Sequence, residues 1–493
     1  MIAPHLPILQ VVLPLVAAPL CVLLRREVLA WWLTLATTWV ILVNAVLLLD
    51  RVALLGPIHY ALGGWSAPLG IAYRIDALNG ALLLLISATA AVLLPYARRS
   101  VLREIGATQA ALFYAALLLC MTGLMGMAAT ADAFNVFVFL EISSLSTYAL
   151  VAMGQDRRAL TAAFQYLIMG TLGGTFILIG IGFMYAATGT LSMADLAEKL
   201  PIAENQRAVQ TAFAFFIVGI SLKLALFPLH LWLPNAYAYA PSVVTIFLAA
   251  TATKVAVYVM LRFTFDLFGV HHAFSGLTVA RVFPILAGLG IILASIAALY
   301  QDNAKRSFAY SSVAQIGYIV LGLALLTPSG LTAGLLHLLN HALAKGALFM
   351  ALGCLYYRLG SMALPALAGA AREMPLSAAA FVIAGLSLIG VPLTAGFISK
   401  WYLLLATLEQ DQWLLAGIIV VGSLLALGYV WRVIEQLYFR DSPHDRPAVR
   451  EAPWSLLIPT WTVIAANVYF GIDSHLTLSL AERAMQALME AAP

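Results

Sequence analysis

The sequence has few charged residues. Only 10% of its 493 residues are Asp, Glu, Lys or Arg, whereas 63% are hydrophobic. Soluble globular domains carry about 25% charged residues. Because so few charges cannot cover a water-facing surface of this size, lipid must be the solvent for most of the chain. The net charge of +4 is small and dispersed, so it gives no reason to expect a nucleic-acid partner.

Cysteine is also scarce. The three cysteines lie far apart in apolar stretches, and no two of them have the spacing of a metal site or a redox pair. We interpret Cys21, Cys120 and Cys354 as packing residues. The sequence also lacks a nucleotide-binding loop and any motif typical of a hydrolase active site. We therefore expect no cofactor and no enzyme activity of the chain itself, and we expect the energy to come from an ion gradient or from partner subunits.

Long apolar segments are abundant. Stretches of about 20 apolar residues predict transmembrane helices, whereas a membrane barrel needs short alternating strands. The first stretch precedes its arginines, which is the reverse of a secretory signal, so we expect it to be retained as a helix. The pattern predicts an all-α membrane protein with fourteen spans, at residues 5–24, 28–50, 76–95, 108–128, 132–152, 163–187, 209–232, 242–265, 281–299, 308–326, 331–357, 377–405, 413–437 and 455–472.

Basic residues are unevenly distributed between the two sides of these spans. The first, third and other odd-numbered connections carry most of the Lys and Arg. Cytoplasmic loops of membrane proteins have such an excess. The distribution predicts both termini on the external side of a bacterial or archaeal cell membrane.

Proline interrupts two of the predicted spans. Span seven contains Pro228 and Pro234, and span twelve contains Pro392. Proline breaks helical hydrogen bonding, and interrupted spans at corresponding positions are typical of transporters built from repeats. Because the breaks are five spans apart, they predict two five-helix units, although two unrelated kinks are the alternative. The predicted parts are N-terminal helices at 1–107, five-helix units at 108–265 and 281–437, and a last helix with its tail at 455–493.

Several ionisable side chains lie deep in these spans. A charge at a helix centre costs roughly 2.5–3.5 kcal/mol on insertion scales, so a function is the default interpretation. Glu141 lies about 13 Å into span five, because a helix rises 1.5 Å per residue. Lys223 and His230 flank Pro228, where freed carbonyls leave room for water, and a lysine beside a carboxylate can gain and lose a proton as its partner moves. Lys254 lies deep in span eight.

A second set follows in spans eleven and twelve. His337, His341 and Lys345 have i, i+4 and i+8 spacing, which places them on one helix face. Zinc would need a third ligand, and bis-histidine haem usually takes its ligands from two helices, so we favour a proton relay over a metal site or packing histidines. Lys400 follows Pro392 within span twelve. Lys305 begins span ten, where we expect a cytoplasmic surface anchor.

Six stretches together resemble a known family. FNVFVFLEISSLSTYALVA, SLKLALFPLHLWLPNAYAYAPS, TKVAVYVMLRF, DNAKRSFAYSSVAQIGYIVLGL, HLLNHALAKGALFMALG and GVPLTAGFISKWYLL are similar to the antiporter-like subunits of respiratory complex I and of Mrp-type cation/proton antiporters. The earlier ALGGWSAPLGIAYRIDALNG most resembles the D-type subunits of the Mrp family. The resemblance implies fourteen helices with two inverted five-helix repeats and broken seventh and twelfth helices.

The same resemblance implies roles for individual residues. It makes Glu141 the coupling carboxylate, Lys223 its switching partner and Lys254 the central lysine, with His337, His341 and Lys345 in the connecting axis and Lys400 at its end. Asn235 departs from the pattern of complex I relatives, and His230 blurs the D-type Mrp assignment. Asn235 stands where complex I relatives often have aspartate, and His230 is common in complex I and hydrogenase relatives. No long lateral helix follows span fourteen, which argues against the L-type complex I subunit.

The sequence thus predicts a proton-translocating subunit of a multisubunit Na⁺ (or other monovalent cation)/proton antiporter, with other hydrophobic subunits as its partners. Two alternatives remain. The chain could be the proton channel of a redox complex, either complex I or a membrane-bound hydrogenase, or a scaffold whose charges only hold helices together.

Overall fold

The computed structural model describes residues 3–269, 279–443 and 448–491. Most of these residues are helical. The first half contains α1 (Leu6–Leu24), α2 (Glu27–Leu55), α3 (Ala77–Glu104), α4 (Ala107–Ala129), α5 (Ala133–Ala152), α6 (Arg158–Thr188), α7 (Met193–Lys199), α8 (Gln206–Leu224), α9 (Trp232–Tyr239), α10 (Ser242–Ala250) and α11 (Ala252–Leu261). The second half contains α12 (Val279–Leu299), α13 (Ala304–Ala324), α14 (Pro328–Leu359), α15 (Ala370–Glu373), α16 (Pro375–Ile389), α17 (Ala395–Leu408), α18 (Trp413–Ile434), α19 (Trp454–Ile472) and α20 (His475–Ala491).

The expected membrane architecture is confirmed. Within the described residues, 13 helices are long and apolar enough to cross a membrane, or up to 14 if the bent pair at Leu364–Glu373 and Pro375–Ile389 is counted as one span. The one sheet in the described chain is a small antiparallel hairpin outside the spans, formed by β1 (Ile58–Ala61) and β2 (Ala72–Ile75). The all-α expectation did not include this hairpin.

Both predicted breaks are present. Span seven stops at Leu224, where Ala225 turns left-handed at φ +60°, and resumes at Trp232. The Trp232 indole N–H donates to the Leu222 carbonyl at 2.9 Å, so a side chain replaces one of the lost helical donors. Span twelve stops at Ile389 before Gly390, which has φ +90°, and resumes at Ala395. Glycine suits this left-handed position because it has no Cβ.

Span eight has a break that the sequence did not predict. Helix α10 ends at Ala250 and α11 begins at Ala252, with Thr251 between them at φ −122° and ψ −55°. Helix α11 then continues as a π-helical segment, Arg262–Leu267. Neither proline nor glycine lies at the break, so the local sequence carries no signal for it.

The two predicted five-helix units have the same order of neighbours. In the first, α4 packs against α5, α5 against α6, and α6 against the broken span. In the second, α12, α13, α14 and the broken span pack in the same succession. The division at 108–265 and 281–437 stays a prediction. Helix α20 packs against α3 and α14, and it is an additional helix after the fourteenth span.

Candidate functional site

Glu141 and Lys223 form a loose ion pair between α5 and α8. The Lys223 Nζ lies 3.6 Å from Glu141 Oε1 and donates a hydrogen bond of 2.8 Å to Ser144 Oγ, one turn beyond the glutamate. The lysine side chain is 8% exposed and the carboxylate is 24% exposed. Because the ammonium already has a neutral partner in Ser144, it can leave the carboxylate without losing every hydrogen bond.

His230 lies inside the broken part of span seven. Its ring stacks on Phe227, with centroids 5.3 Å apart, and contacts Tyr310 of α13 edge to face at 6.2 Å. The Nδ1 atom is buried and has no hydrogen-bond partner among the described residues. A buried polar nitrogen without a protein partner favours an ordered water, so His230 suits a hydrated step between the two units.

Lys254 is fully buried at the break of span eight. Its ammonium reaches back to the Ala249 carbonyl, which the irregular backbone at Thr251 leaves without a normal helical partner. The unpredicted break therefore does for Lys254 what the proline break was expected to do for Lys223. It supplies a backbone acceptor for a charge in an apolar environment.

His337 and His341 lie on one face of α14, as their spacing predicted. His337 is hydrogen-bonded through Nδ1 to Ser399 Oγ at 2.8 Å and through Nε2 to Gln315 Oε1 at 2.9 Å. Its ring is parallel to that of His341 within 6°, with centroids 6.0 Å apart. His341 is buried, and neither of its ring nitrogens has a partner among the described residues. The pair thus combines one fixed imidazole with one that is free to accept a proton.

Lys345 completes this face of α14 and is fully buried. Its ammonium donates to the Phe308 carbonyl at 2.7 Å and to Ser311 Oγ, both on α13. It also lies 5.6 Å from the centre of the Phe349 ring. Aromatic faces attract cations. The Lys345 ammonium thus contacts a carbonyl, a hydroxyl and an aromatic ring, all of which are neutral.

Lys400 of α17 reaches back across the break of span twelve. Its ammonium donates to the carbonyls of Leu388 and Ile389 at 2.8 and 3.2 Å and to Ser423 Oγ at 3.1 Å. It also lies 4.6 Å from the centre of the Tyr318 ring. The end of α16 thus supplies the free carbonyls that the sequence led us to expect beside Pro392.

Span eight, which carries Lys254, and α17, which carries Lys400, both pack against α14, the helix of the histidine pair. The part of span eight that packs against α14 is α10, just before Lys254, and Ser399, the neighbour of Lys400, is hydrogen-bonded to His337. No hydrogen bond among the described residues joins Lys223 to Lys254, so that step requires water or side-chain movement. We call the set Glu141, Lys223, Lys254, His337, His341, Lys345 and Lys400 the polar row.

The expectation for Lys305 is wrong. Its side chain is buried, and its ammonium donates to Ser242 Oγ at 3.1 Å and lies 4.7 Å from the centre of the Tyr356 ring. Ser242 in turn donates to the buried carboxylate of Glu104, with its backbone N–H at 2.8 Å and its hydroxyl at 3.1 Å. A helix-start lysine resembles a surface anchor in the sequence, but here the carboxylate at the end of α3 and a serine draw it inward.

The sequence did not reveal the neutral partners of these charges. Ser144, Ser311, Gln315, Ser399 and Ser423 each bond a member of the polar row. Serine is common in membrane helices, where it often bonds its own backbone, so a single serine is a weak signal. Gln315 was the better clue, because an amide inside a span needs a partner.

The arrangement suits proton transfer between groups that are charged one at a time. Lysine and histidine can each hold or release a proton, whereas carbonyls and hydroxyls stabilise the charged form without competing for it. Among the described residues, no group of three or more His, Cys, Asp or Glu is placed to hold a metal ion.

Comparisons with known proteins agree on one family. Its profile, described as NADH:quinone oxidoreductase/Mrp antiporter, TM, matches residues 130–426. The chain is 41% identical to NADH-quinone oxidoreductase subunit N of Desulforudis audaxviator, over 96% of this chain and 97% of that protein. It is 28% identical to the D subunit of the Na(+)/H(+) antiporter of Alkalihalophilus pseudofirmus, over 84% of this chain and 83% of that one.

Solved structures give the same fold. A chain of an archaeal membrane-bound sulfane sulfur reductase superimposes with a TM-score of 0.91 at 30% identity, covering 98% of both chains. A chain of the Mrp complex from Dietzia sp. DQ12-45-1b gives a TM-score of 0.89 at 26% identity, covering 99% of this chain and 98% of that one. Both are chains of multisubunit or respiratory membrane complexes.

Proposed function

The chain belongs to the NADH:quinone oxidoreductase/Mrp antiporter family of transmembrane subunits, and from this premise we propose that it carries protons across a prokaryotic membrane along the polar row. It is an antiporter-like, multi-pass subunit, and similarity to chains of larger complexes supports other membrane subunits as partners. The observation that carries the proposal is a row of buried ionisable groups in which neutral acceptors, rather than counter-charges, bond Lys254, Lys345 and Lys400, and only Lys223 has a carboxylate partner.

The proposed cycle starts at the Glu141–Lys223 pair. While the pair is closed, the carboxylate stabilises the protonated lysine. When Glu141 moves away, Lys223 keeps only the Ser144 hydroxyl and passes its proton through water toward Lys254. Transfer then continues along the α14 face to Lys400. Each lysine on this route already has a neutral acceptor. His341 has no hydrogen-bond partner among the described residues, so its charged form requires a bound water.

Replacing Lys223 with Ala tests this mechanism. We expect proton transport by the purified complex in proteoliposomes to fall by about tenfold or more, since the loss of one relay group raises the transfer barrier by at least about 1.4 kcal/mol, while the complex still assembles. The matched control is Lys199→Ala, which removes an exposed lysine of α7 that is paired with Asp195. Unchanged transport in the Lys223 variant would rule out the mechanism.

The driving module is the second part of the proposal. Higher identity to an NADH-quinone oxidoreductase subunit than to the D subunit of an antiporter favours a redox-driven complex. An Mrp-type sodium/proton antiporter is the second candidate, because the Mrp chain superimposes almost as closely as the sulfane sulfur reductase chain. The stretch ALGGWSAPLGIAYRIDALNG favoured the Mrp branch. The identities over most of the chain favour the NADH-quinone oxidoreductase branch instead.

The partners decide between the two candidates. The native complex would be purified in mild detergent, its subunits identified by mass spectrometry, and its absorbance spectrum recorded. Iron–sulfur absorbance together with redox subunits is the expected result. Small hydrophobic partners without iron–sulfur or flavin absorbance would replace the redox assignment with the antiporter.

A further inference from the structure

A cluster of buried charges lies outside the polar row, at the end of span eight nearest the β-hairpin. The Arg262 guanidinium is paired with Asp76 at the start of α3 and, at 2.9 Å, with Asp266. Arg74 of β2 lies 3.7 and 3.8 Å from the same two carboxylates. The Arg262, Asp76 and Asp266 side chains are only 5%, 1% and 11% exposed. Two guanidinium groups thus balance two carboxylates, and the Arg74 side chain, which is 33% exposed, is the most accessible member of the cluster.

The cluster is connected inward to the polar row. Arg262 Nε donates to the Tyr258 hydroxyl at 3.1 Å, and that hydroxyl donates to the Ala128 carbonyl at 2.9 Å. Tyr258 and Lys254 are four residues apart in α11, so they lie on the same helix face one turn apart. A line of polar groups therefore runs from Arg262 through Tyr258 to the turn of α11 that carries Lys254. The Lys254 ammonium itself points to the Ala249 carbonyl, so water must bridge Tyr258 and Lys254.

The cluster is also connected outward. A cavity of about 540 Å³ between α2, α3 and α20 is lined by Asp76 together with Asp50, Arg483 and Glu490. A smaller apolar cavity of about 20 Å³ beneath α20 is lined by Tyr258, and Leu480 belongs to the walls of both. The larger cavity thus lies within one ion pair, Asp76–Arg262, of this line.

Arg262 is chemically suited to block this line and unsuited to conduct along it. A guanidinium does not lose its proton at any ordinary pH, and a fixed positive charge in a narrow passage excludes protons and other cations. Asp266 has the opposite character, because its buried Oδ1 has no hydrogen-bond partner among the described residues and can accept a proton. The carboxylate of Asp266, which can accept a proton, thus lies beside the fixed positive charge of Arg262.

We propose that Arg262, clamped by Asp76 and Asp266, is a gate that closes a side branch of the proton path, running from Lys254 past Tyr258 to the cavity beneath α20. This inference rests on the proposed function, since a branch requires conduction along the polar row. With the clamp closed, protons on the row stay on their lateral route. Displacement of Arg262 joins Lys254 to the water in the cavity.

A purely structural role makes a different prediction. If the cluster only ties α3, the hairpin and span eight together, its loss weakens assembly but opens no proton route. The two roles therefore differ in passive proton leak, which is the flux that a membrane potential drives without substrate or driving reaction. Passive leak of the Arg262 variant tests the gate, whereas coupled transport by the Lys223 variant tests the proposed function. The two can therefore fail separately.

The experiment compares complexes in proteoliposomes containing a pH-sensitive dye, with a potassium diffusion potential as the driving force. We expect Arg262→Gln to raise passive proton flux by about tenfold or more, which corresponds to about 1.4 kcal/mol off the barrier. The added Lys254→Ala substitution should abolish this increase, because the branch begins at Lys254. The matched control, Arg358→Gln, removes an exposed guanidinium that donates to the Glu451 carbonyl, and it should not leak.

Two results would overturn the gate. One is an assembled Arg262→Gln complex whose passive proton flux equals that of the wild type. The other is a leak that persists in the Lys254→Ala background, which would show a general loss of packing. If Arg262→Gln does not assemble, Asp266→Asn is measured with the same readouts, because it keeps the side-chain volume and removes one side of the clamp. An assembled Asp266→Asn complex with the passive proton flux of the wild type would equally overturn the proposal.

Discussion

The Glu141 carboxylate has its position because α6 carries no side chain opposite it. A Cβ added at Gly174 would lie 2.3 Å from Glu141 Oε1, which is far inside van der Waals contact. The Gly174→Ala variant should therefore push the carboxylate away from Lys223 without removing any charge. We expect coupled proton transport to fall by about tenfold, as for a loss of roughly 1.4 kcal/mol of stabilisation, in a complex that assembles normally.

Another glycine of the same helix provides the control. A Cβ at Gly182 meets no atom within 4 Å. Alanine in a helix interior is also more favourable than glycine by about 0.5–1 kcal/mol, so Gly182→Ala should leave transport unchanged and the fold at least as stable. Transport and assembly are measured side by side for both variants. Equal activities in the two would mean that the position of Glu141 is not critical.

At this scale the sequence revealed the charged groups better than their environments. The depth of Lys254 and the spacing of His337, His341 and Lys345 on one helix face were visible from the primary structure. The roles of Lys305 and Arg262 were not visible, because Lys305 lies just before span ten and Arg262 lies near the end of span eight, and a basic residue at such a position usually marks a membrane surface. Only the fold shows that Glu104 and Asp76, at the two ends of α3, draw them inside.

At the scale of helices, the geometry of span twelve depends on the contact between its two halves. A Cβ at Gly396 of α17 would lie 1.9 Å from the Ser387 carbonyl oxygen of α16. The Gly396→Ala variant must therefore separate the two halves, and Lys400 then loses its bonds to the carbonyls at the end of α16. We expect transport to fall by about tenfold or more.

Gly417 of α18 serves as the matched control for this prediction, since a Cβ there meets nothing within 4 Å. Gly417→Ala should transport at the wild-type rate. Both variants are assayed for transport and for the amount of intact complex. Normal transport by an assembled Gly396→Ala complex would show that the Lys400 carbonyl bonds are dispensable.

The three broken spans also show how far helices can be predicted from a chain of this kind. Proline removes a backbone donor, so the breaks near Pro228 and Pro392 were visible in the sequence. The break at Thr251 depends on packing, because all neighbouring residues of α10 and α11 are compatible with a continuous helix. Its functional role, a free carbonyl for Lys254, is equally visible only in the fold.

For the whole molecule, apolar length alone predicted about fourteen spans, because lipid imposes a fixed helix length. It could not predict that the two five-helix units share one line of charges, since the groups on that line come from α5, α8, α11, α14 and α17. The distances between such groups are set by tertiary packing. The proposed function treats the two predicted units as parts of one proton path, whereas the alternative is a separate path in each unit.

One shared proton path and two independent paths predict different responses to substitutions at the two ends of the polar row. In one path, Lys400→Ala should stop transport as completely as Lys223→Ala, and the double variant should be no slower than either single one, because groups that act as a unit are not additive. In two independent paths, each single variant should keep roughly half of the wild-type flux, and only the double variant should stop. Coupled proton flux is measured for the three variants at equal amounts of assembled complex. We expect the first pattern, because span eight and α17, which carry Lys254 and Lys400, both pack against α14, the helix of the histidine pair.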